Sequence, residues 1–202
     1  MSSSRIYIPS NIYEEFRKEV QIAANGYTAT GRLGPLQNVA QQTRLRKLLT
    51  TCEEEKWNVL AGGKLIDSAG YFMEPTIIDN PPEGSLVAIE EAFGMSDIYS
   101  RALLTILAPL ASLFPYTDLE KAIELANRGD NNLAACIYSP STAQRNEIAA
   151  KLRAGTIFHN SFARPKGDVP MPGCGGSGIG NEGGLEGVKE FCRLKVQHLA
   201  WE

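Results

Sequence analysis

From Thr117 onward, short apolar runs alternate with stretches of helical period. Leu119, Ala122, Ile123 and Ala126 share one helix face behind Thr117 or Asp118, either of which can cap it. Leu133–Tyr138 is an apolar run of strand length, Ser141–Leu152 a helix opened by a serine cap, and Thr156–Asn160 another strand. Strands that alternate with helices form a parallel sheet covered by those helices, so the fold class is α/β.

The upstream half reads the same way. Arg5–Ile8 is a short strand ended by Pro9, and Ser10 or Asn11 can cap a helix whose Ile12, Phe16 and Val20 share a face. Asn25-Gly26 is turn chemistry, and Gly34-Pro35 opens a second helix with proline at the tolerated first position. Leu45, Leu48, Leu49 and Cys52 form its buried stripe. Trp57–Ala61 is a strand closed by Gly62-Gly63. Tyr71–Asp79 is extended, with Pro75 marking an edge or irregular strand. Leu185–Cys192 makes a last helix, and Leu194–Trp201 closes the chain as a strand whose free edges suit pairing with another subunit.

At 202 residues the chain suits one domain, and its 43% hydrophobic and 21% charged content is that of a folded globular protein. A net charge of -3 offers no basic surface to phosphate backbones, so nucleic acid is not an expected partner. The N-terminus has no apolar signal core, and Ala102–Leu113, the longest apolar candidate, is too short to span a bilayer and contains Pro109. Cys52, Cys136, Cys174 and Cys192 are widely spaced, with no CxxC and no nearby histidine pair. They suggest neither a zinc site nor a disulfide framework, and they fit a reducing, cytoplasmic setting.

One stretch is a motif with an interruption. Glu90-Glu91-Ala92-Phe93-Gly94 is followed by Met95–Ala108 and only then by Pro109, with Pro115-Tyr116 further on. With Met95–Ala108 removed, the text resembles the Glu-Glu-x-Phe-Gly-Pro signature of the aldehyde dehydrogenase superfamily. Other stretches resemble that family in its order: Arg5-Ile-Tyr-Ile-Pro9, Gly34-Pro35-Leu36, Gly62-Gly63 with Gly70-Tyr-Phe-Met-Glu-Pro75-Thr-Ile, Ala122–Asn127, Leu152-Arg-Ala-Gly155-Thr, and Ser177-Gly178-Ile-Gly180-Asn-Glu182. The resemblance implies residues 1–193 as part of the catalytic domain, with 95–108 an insertion, and 194–202 as an oligomerisation strand. Gly-Met-Ser can be encoded with a splice-donor string, so 95–108 is expected to be translated intron.

By position, Glu91 becomes the carboxylate that accepts hydrogen bonds from the nicotinamide ribose hydroxyls. Its two acceptor oxygens suit a vicinal diol. Phe93 packs against the nicotinamide end, and Asn160, Phe162 and Met171 line the aldehyde path. The implied reaction is oxidation of an aldehyde to a carboxylic acid with NAD or NADP. In that chemistry a cysteine thiolate forms a thiohemiacetal, an asparagine amide and a backbone N–H hold the oxyanion, and a glutamate activates the hydrolytic water. The family places these groups and its Rossmann domain upstream of Arg5, so the 202 residues alone are expected to be inactive. The alternatives are a non-catalytic subunit that docks through Leu194–Trp201 onto a full-length dehydrogenase, as a homo- or hetero-oligomer, and a decayed gene.

The remaining candidates read blandly. Cys52, Cys136 and Cys192 are expected to be buried and inert, and Cys174, in a glycine-rich loop, exposed but without a base. Gly173-x-Gly175-x-x-Gly178 matches the dinucleotide fingerprint by letter only, because prolines precede it and no βαβ unit surrounds it. His159 is expected in the core, His198 at the surface, and Glu53-Glu54-Glu55 at a solvated helix end. No metal site is expected.

Overall fold

The computed structural model describes residues 4–30, 34–66, 70–89, 110–130, 132–161 and 167–199; side chains of 27–30 are not described. Glu91, Phe93, Phe162 and the expected insertion Met95–Ala108 lie outside the described residues. The chain divides into two compact units, residues 1–128 and 129–202.

The first unit is built on a four-stranded sheet in the order β1 (Arg5–Pro9), β6 (Leu110–Tyr116), β5 (Thr76–Asp79), β2 (Asn58–Ala61). β1 and β5 both run parallel to β6, with Arg5 opposite Ser112 and Thr76 opposite Leu110. β2 lies antiparallel to β5, its register shifting between Val59 and Ala61. A small antiparallel pair, β3 (Leu65–Ile66) and β4 (Phe72–Met73), stands beside it.

Helices cover both faces, and the pleat sorts the core between them. Ile77, Ala111 and Leu113 join Ile8, Tyr13, Val20 and Ala24 beneath α1 (Tyr13–Thr30). Ile78 and Leu110 point the other way. They join Leu45, Leu48, Leu49 and Cys52 of α2 (Val39–Glu54) and Val87 of α3 (Leu86–Ile89). Neighbouring strand residues thus serve opposite layers, as the two-residue period requires.

The stripe Leu45, Leu48, Leu49 and Cys52 is buried as its spacing demands. Asp118 caps α4 (Leu119–Ala126) by accepting from the Glu120 and Lys121 N–H groups, and Ser141 caps α5 (Thr142–Lys151) through Gln144. Three expectations need correction. The buried face of α1 is Tyr13, Val20 and Ala24, with Phe16 half-buried, while Ile12 is exposed just before the helix. Asn25-Gly26 does not turn: α1 runs through it to Thr30, because the packed face outweighs the roughly 1 kcal/mol cost of a helical glycine. α2 starts at Val39, not at Gly34-Pro35. Asn38 accepts from the Gln41 N–H, Gln41 Oε1 accepts from the Gln37 N–H, and Leu36 is held outside by its N–H bond to the Tyr71 carbonyl.

β6, buried from Leu110 to Phe114, was not foreseen as a strand. Pro115 is tolerated because alternate residues of β6 bond alternate neighbours. The Ser112 N–H and the Tyr116 carbonyl bond towards β1, and the Leu113 carbonyl accepts from Asn80 at the end of β5. Pro115 shares the side of Leu113, where β5 has already ended, so its missing N–H breaks no ladder bond.

A polar stripe on α1 ties the helix to the sheet. The Tyr13 hydroxyl donates to Asp79 at 2.5 Å, Arg17 pairs with the same carboxylate at 2.9 Å, and Asn58 donates to it at 2.8 Å. One turn on, Gln21 donates to the Leu60 carbonyl. Burial, reinforced by the hydrogen bond and charge of Asp79, raises the Tyr13 phenol well above its ordinary range. Asp79 is only 11% exposed, so its three partners depend on it.

The second unit contains β7 (Ala134–Ile137) and β8 (Thr156–His159), paired in parallel and linked through α5. β9 (Met171–Pro172) and β10 (Asn181–Glu182) form an antiparallel pair, and α6 (Gly184–Lys189) follows. Residues 194–199 are exposed and pair with no strand among the described residues, so the expected terminal strand is not seen there; residues 200 and 201 lie outside the described residues.

Asp79→Ala is expected to destabilise the chain by about 2–4 kcal/mol, because it strands a buried hydroxyl and removes an ion-pair partner. Asp79→Asn should recover part of the loss. Urea unfolding followed by circular dichroism measures both, and a change below about 0.5 kcal/mol for Asp79→Ala would show that the network is ornamental.

Candidate functional site

The interrupted motif that holds Glu91 and Phe93 is flanked in sequence by two anchored ends. α3 delivers the chain at Ile89 with Val87 and Ala88 buried, and β6 receives it at Leu110, 1% exposed. The Ser112 hydroxyl donates to the Val87 carbonyl at 3.3 Å, tying the exit of α3 to the sheet centre. Glu91 and Phe93 are therefore close in sequence to fixed structure, on the segment that enters the central strand.

The start of β1 is fixed as firmly. The Arg5 guanidinium donates to the carbonyls of Leu125, Ala126 and Arg128, each at 3.2 Å, and so satisfies the carbonyl-rich end of α4. Tyr7 stacks on Phe114 with ring centroids 5.3 Å apart. The sequence reading missed this role for Arg5, since a guanidinium at a strand start gives no hint of the distant helix end it serves.

In the second unit the two described candidate pocket residues, Asn160 and Met171, fall at opposite ends of β8. Asn160 follows the strand with φ +47, a left-handed conformation that asparagine tolerates better than most residues. Its N–H donates to the Ile137 carbonyl; its Oδ1 accepts from the Ser139 N–H at 2.9 Å, and its Nδ2 donates to the Ser139 carbonyl at 3.0 Å. The carboxamide thus adds one more rung between β7 and β8. Arg145 also donates to the Ser139 carbonyl, which closes the corner from α5.

Met171, half-buried, lies beside Pro172 at the other end of the strand. A Cβ on Gly155, the residue before β8, would lie 2.0 Å from the Pro172 carbonyl oxygen, so only glycine allows that crossing. Asn160 and Pro172 are therefore separated by about the length of β8, roughly 13–16 Å at the usual rise per strand residue. The structure brings Asn160 together with Ser139, and not with Met171.

The glycine-rich loop is packed, not poised for a dinucleotide. The Gly176 N–H donates to the Asp130 carbonyl at 2.7 Å, and a Cβ on Gly173 would lie 2.6 Å from the Gly178 carbonyl oxygen. β10 and the six-residue α6 follow, so no strand–turn–helix surrounds the loop.

Cysteine placement corrects one expectation and refines others. Cys52 is buried, and burial pushes its thiol up to about 11. Cys136 and Cys174 are half-buried, while Cys192 is exposed and donates weakly to the Val188 carbonyl one turn back. The expectation of burial fails for Cys192 because it lies past the end of α6, in a stretch whose described residues 190–199 are all exposed. His159 is likewise exposed and not in the core: it ends β8, where the chain leaves the sheet. His198 is exposed, as expected. Among the described residues, no group of three or more His, Cys, Asp or Glu could hold a metal ion.

Two outcomes follow from this geometry. Asn160→Ala should cost about 1–2 kcal/mol, since it leaves the Ser139 N–H without its acceptor while Arg145 still serves the Ser139 carbonyl, and amide exchange at Ser139 should accelerate. Unchanged exchange there would refute the rung. In the folded chain iodoacetamide should label Cys192 first and Cys52 only after denaturant is added, as read by mass spectrometry.

Comparison with known proteins places these elements in one lineage. The profile of the aldehyde dehydrogenase family matches residues 1–197. The Gibberella moniliformis protein FUS7 is 33% identical over 199 residues, covering 98% of this chain and 40% of that protein. A Schizosaccharomyces pombe succinate-semialdehyde dehydrogenase [NADP(+)] is 30% identical over 204 residues, covering 97% of this chain and 38% of its own. Among solved structures, the NAD+ complex of an aldehyde dehydrogenase from Bacillus cereus superposes with a TM-score of 0.80 at 27% identity, over 93% of this chain and 37% of that one. The chain spans about two fifths of the length of these relatives. It belongs to the aldehyde dehydrogenase family.

Proposed function

We propose that this chain carries part of the catalytic domain of an enzyme that oxidises an aldehyde to a carboxylic acid with NAD or NADP. The family match across 1–197, through both compact units, is the observation that carries this reading. Residues 1–193 are the catalytic-domain portion, with 95–108 an insertion, and 194–202 the oligomerisation strand. The widely spaced thiols fit the cytoplasm, and no described helix is long and apolar enough to cross a membrane.

In this reading the chain supplies positioning and one charged ligand. Glu91 holds the ribose hydroxyls of the cofactor and Phe93 packs against its nicotinamide end, both on the segment that Ser112 and Val87 anchor. The cofactor, when bound, accepts the hydride. Asn160, Phe162 and Met171 line the aldehyde path, with the Asn160–Ser139 rung setting where the loop 161–171 leaves the sheet. Arg5 fixes the start of β1, a few residues after the position where the family resemblance puts the nucleophilic cysteine. Residues 1–202 include no counterpart of that cysteine, of the base glutamate or of the Rossmann domain, so this stretch alone is inactive.

A second reading is favoured by the exposed tail: the chain docks through Leu194–Trp201 onto another subunit, either a copy of itself or a full-length dehydrogenase.

A chimera separates the fold from the chemistry. Joining the upstream portion of FUS7 to residue 5 onward, with 95–108 deleted, should yield cofactor-dependent aldehyde oxidation, while residues 1–202 alone yield none above a mock preparation. In the active chimera Glu91→Gln should weaken use of the cofactor by about 10–100-fold in kcat/KM, the effect of removing a charge-assisted hydrogen-bond acceptor. Aldehyde oxidation by the 202 residues alone, or an active chimera indifferent to Glu91→Gln, would overturn these assignments.

A further inference from the structure

Asn25-Gly26 is the one Asn-Gly pair in the chain, and α1 runs through it. Ala24 before it is buried, at 1% exposed, while Asn25 and Gly26 are both exposed. A Cβ built on Gly26 would meet nothing within 4 Å, so no packing calls for glycine there. The pair opens the last third of the helix, residues 25–30, whose final turn has no basic residue to meet its carbonyls. Glycine, and the threonines at 28 and 30, are poor helix formers. This end therefore opens more readily than the part that Tyr13, Arg17 and Gln21 tie to the sheet.

We infer that Asn25 is a site of spontaneous covalent modification, deamidation and isomerisation through a cyclic imide, reached when the end of α1 frays. The backbone nitrogen of Gly26, its proton taken by hydroxide, attacks Cγ of Asn25. A C–N bond forms and closes the imide ring, the Cγ–Nδ2 bond breaks, and ammonia leaves. Water then opens the ring at either carbonyl, giving aspartate or isoaspartate. The net change consumes water and releases ammonia, and nothing is oxidised or reduced. Ring closure needs a following residue with no side chain in the way, which glycine supplies. It also needs the Gly26 nitrogen beside Asn25 Cγ, and helical backbone angles hold the two apart. The reaction therefore passes through the opened end.

Asn160-Ser161 supplies the contrast within the same chain. Asn160 is also exposed and also precedes a small residue. Its carboxamide, however, is held at Oδ1 by the Ser139 N–H and at Nδ2 by the Ser139 carbonyl. Cγ of Asn160 reaches no neighbouring nitrogen until both bonds break. Exposure alone thus does not mark the site; the weak helix end does. Isoaspartate carries an extra backbone carbon and cannot keep the helical hydrogen-bond spacing. In the modified chain α1 ends at Ala24, and the anchors from Tyr13 to Gln21 stay in place.

Incubation of the whole chain at mildly alkaline pH, folded and in urea, with peptide mapping by mass spectrometry, tests the inference. In the folded chain Asn25 should become a mixture of aspartate and isoaspartate, within about tenfold of its rate in urea. That factor corresponds to a helix end that opens at a cost of about 1.4 kcal/mol. Asn160, relative to its own rate in urea, should be slowed by roughly a further tenfold or more. The Gly26 amide should exchange roughly tenfold or more faster than that of Val20. Gly26→Ala, which the open space admits, should slow the loss of Asn25 at least about fivefold. If that variant fails to fold by circular dichroism, Asn25→Gln takes its place and should leave the peptide unmodified. An Asn25 that converts in urea but stays intact in the folded chain overturns the inference. So does a Gly26 amide as protected as Val20, or a folded Gly26→Ala chain that converts at the wild-type rate.

Discussion

The first unit depends on the pairing of β6 with a neighbour on each side. β1 and β5 are distant in sequence, and only the strand Leu110–Tyr116 holds them in one sheet. Its side chains are buried on both faces, so each must satisfy a different layer: Ala111 and Leu113 under α1, Leu110 under α2 and α3. The buried Ser112 hydroxyl would cost free energy without a partner, and the Val87 carbonyl supplies one. That bond also fixes where the chain leaves α3, so the packing of the central strand sets the entry to the proposed cofactor motif.

Polar clamps do at the sheet margins what apolar burial does at its centre. Asp79, at the end of β5, gathers Tyr13, Arg17 and Asn58, while Arg5, at the start of β1, gathers the last carbonyls of α4. Each clamp joins a helix to a strand end, the place where fraying begins. The second unit is less self-sufficient. Among its described residues Ile137 is the one apolar side chain buried below a tenth, and its parallel sheet has two strands. Parallel sheets are ordinarily covered on both faces and carry more strands. A unit with so little core of its own fits a chain that spans about two fifths of its relatives.

What could be read in advance depended on whether the signal was local. The α2 stripe and the caps Asp118 and Ser141 were legible because each is satisfied within a few residues. The α/β class followed from alternation alone. β6 escaped because its apolar run adjoins the interrupted motif and contains Pro115, and only the point at which β5 ends shows why proline is allowed there. Asn25-Gly26 reads as a turn until the packing of Val20 and Ala24 is known. His159 and Cys192 sit in apolar sequence but end their elements, and exposure at an element's end is decided by what lies beyond it. For the candidate site, the resemblance named Asn160, but its bonding to Ser139 depends on a strand pairing that spacing does not reveal.

The interruption shows how fold and chemistry can part. Between Ile89 and Leu110 lie twenty residues (90 through 109), against six (90–94 and 109) if 95–108 is removed. Loop closure grows only with the logarithm of length, so the longer loop costs about 1 kcal/mol more. Burial of Val87 and Leu110 and the Ser112–Val87 bond outweigh that easily, so the sheet can tolerate the proposed insertion. A ribose-binding carboxylate is less forgiving. Misplacement by about an ångström can cost a hundredfold in rate, and fourteen added residues (95 through 108) begin two positions after Phe93. An insertion there, tolerated by the central strand, would therefore be enough to part Glu91 and Phe93 from the geometry their proposed roles need.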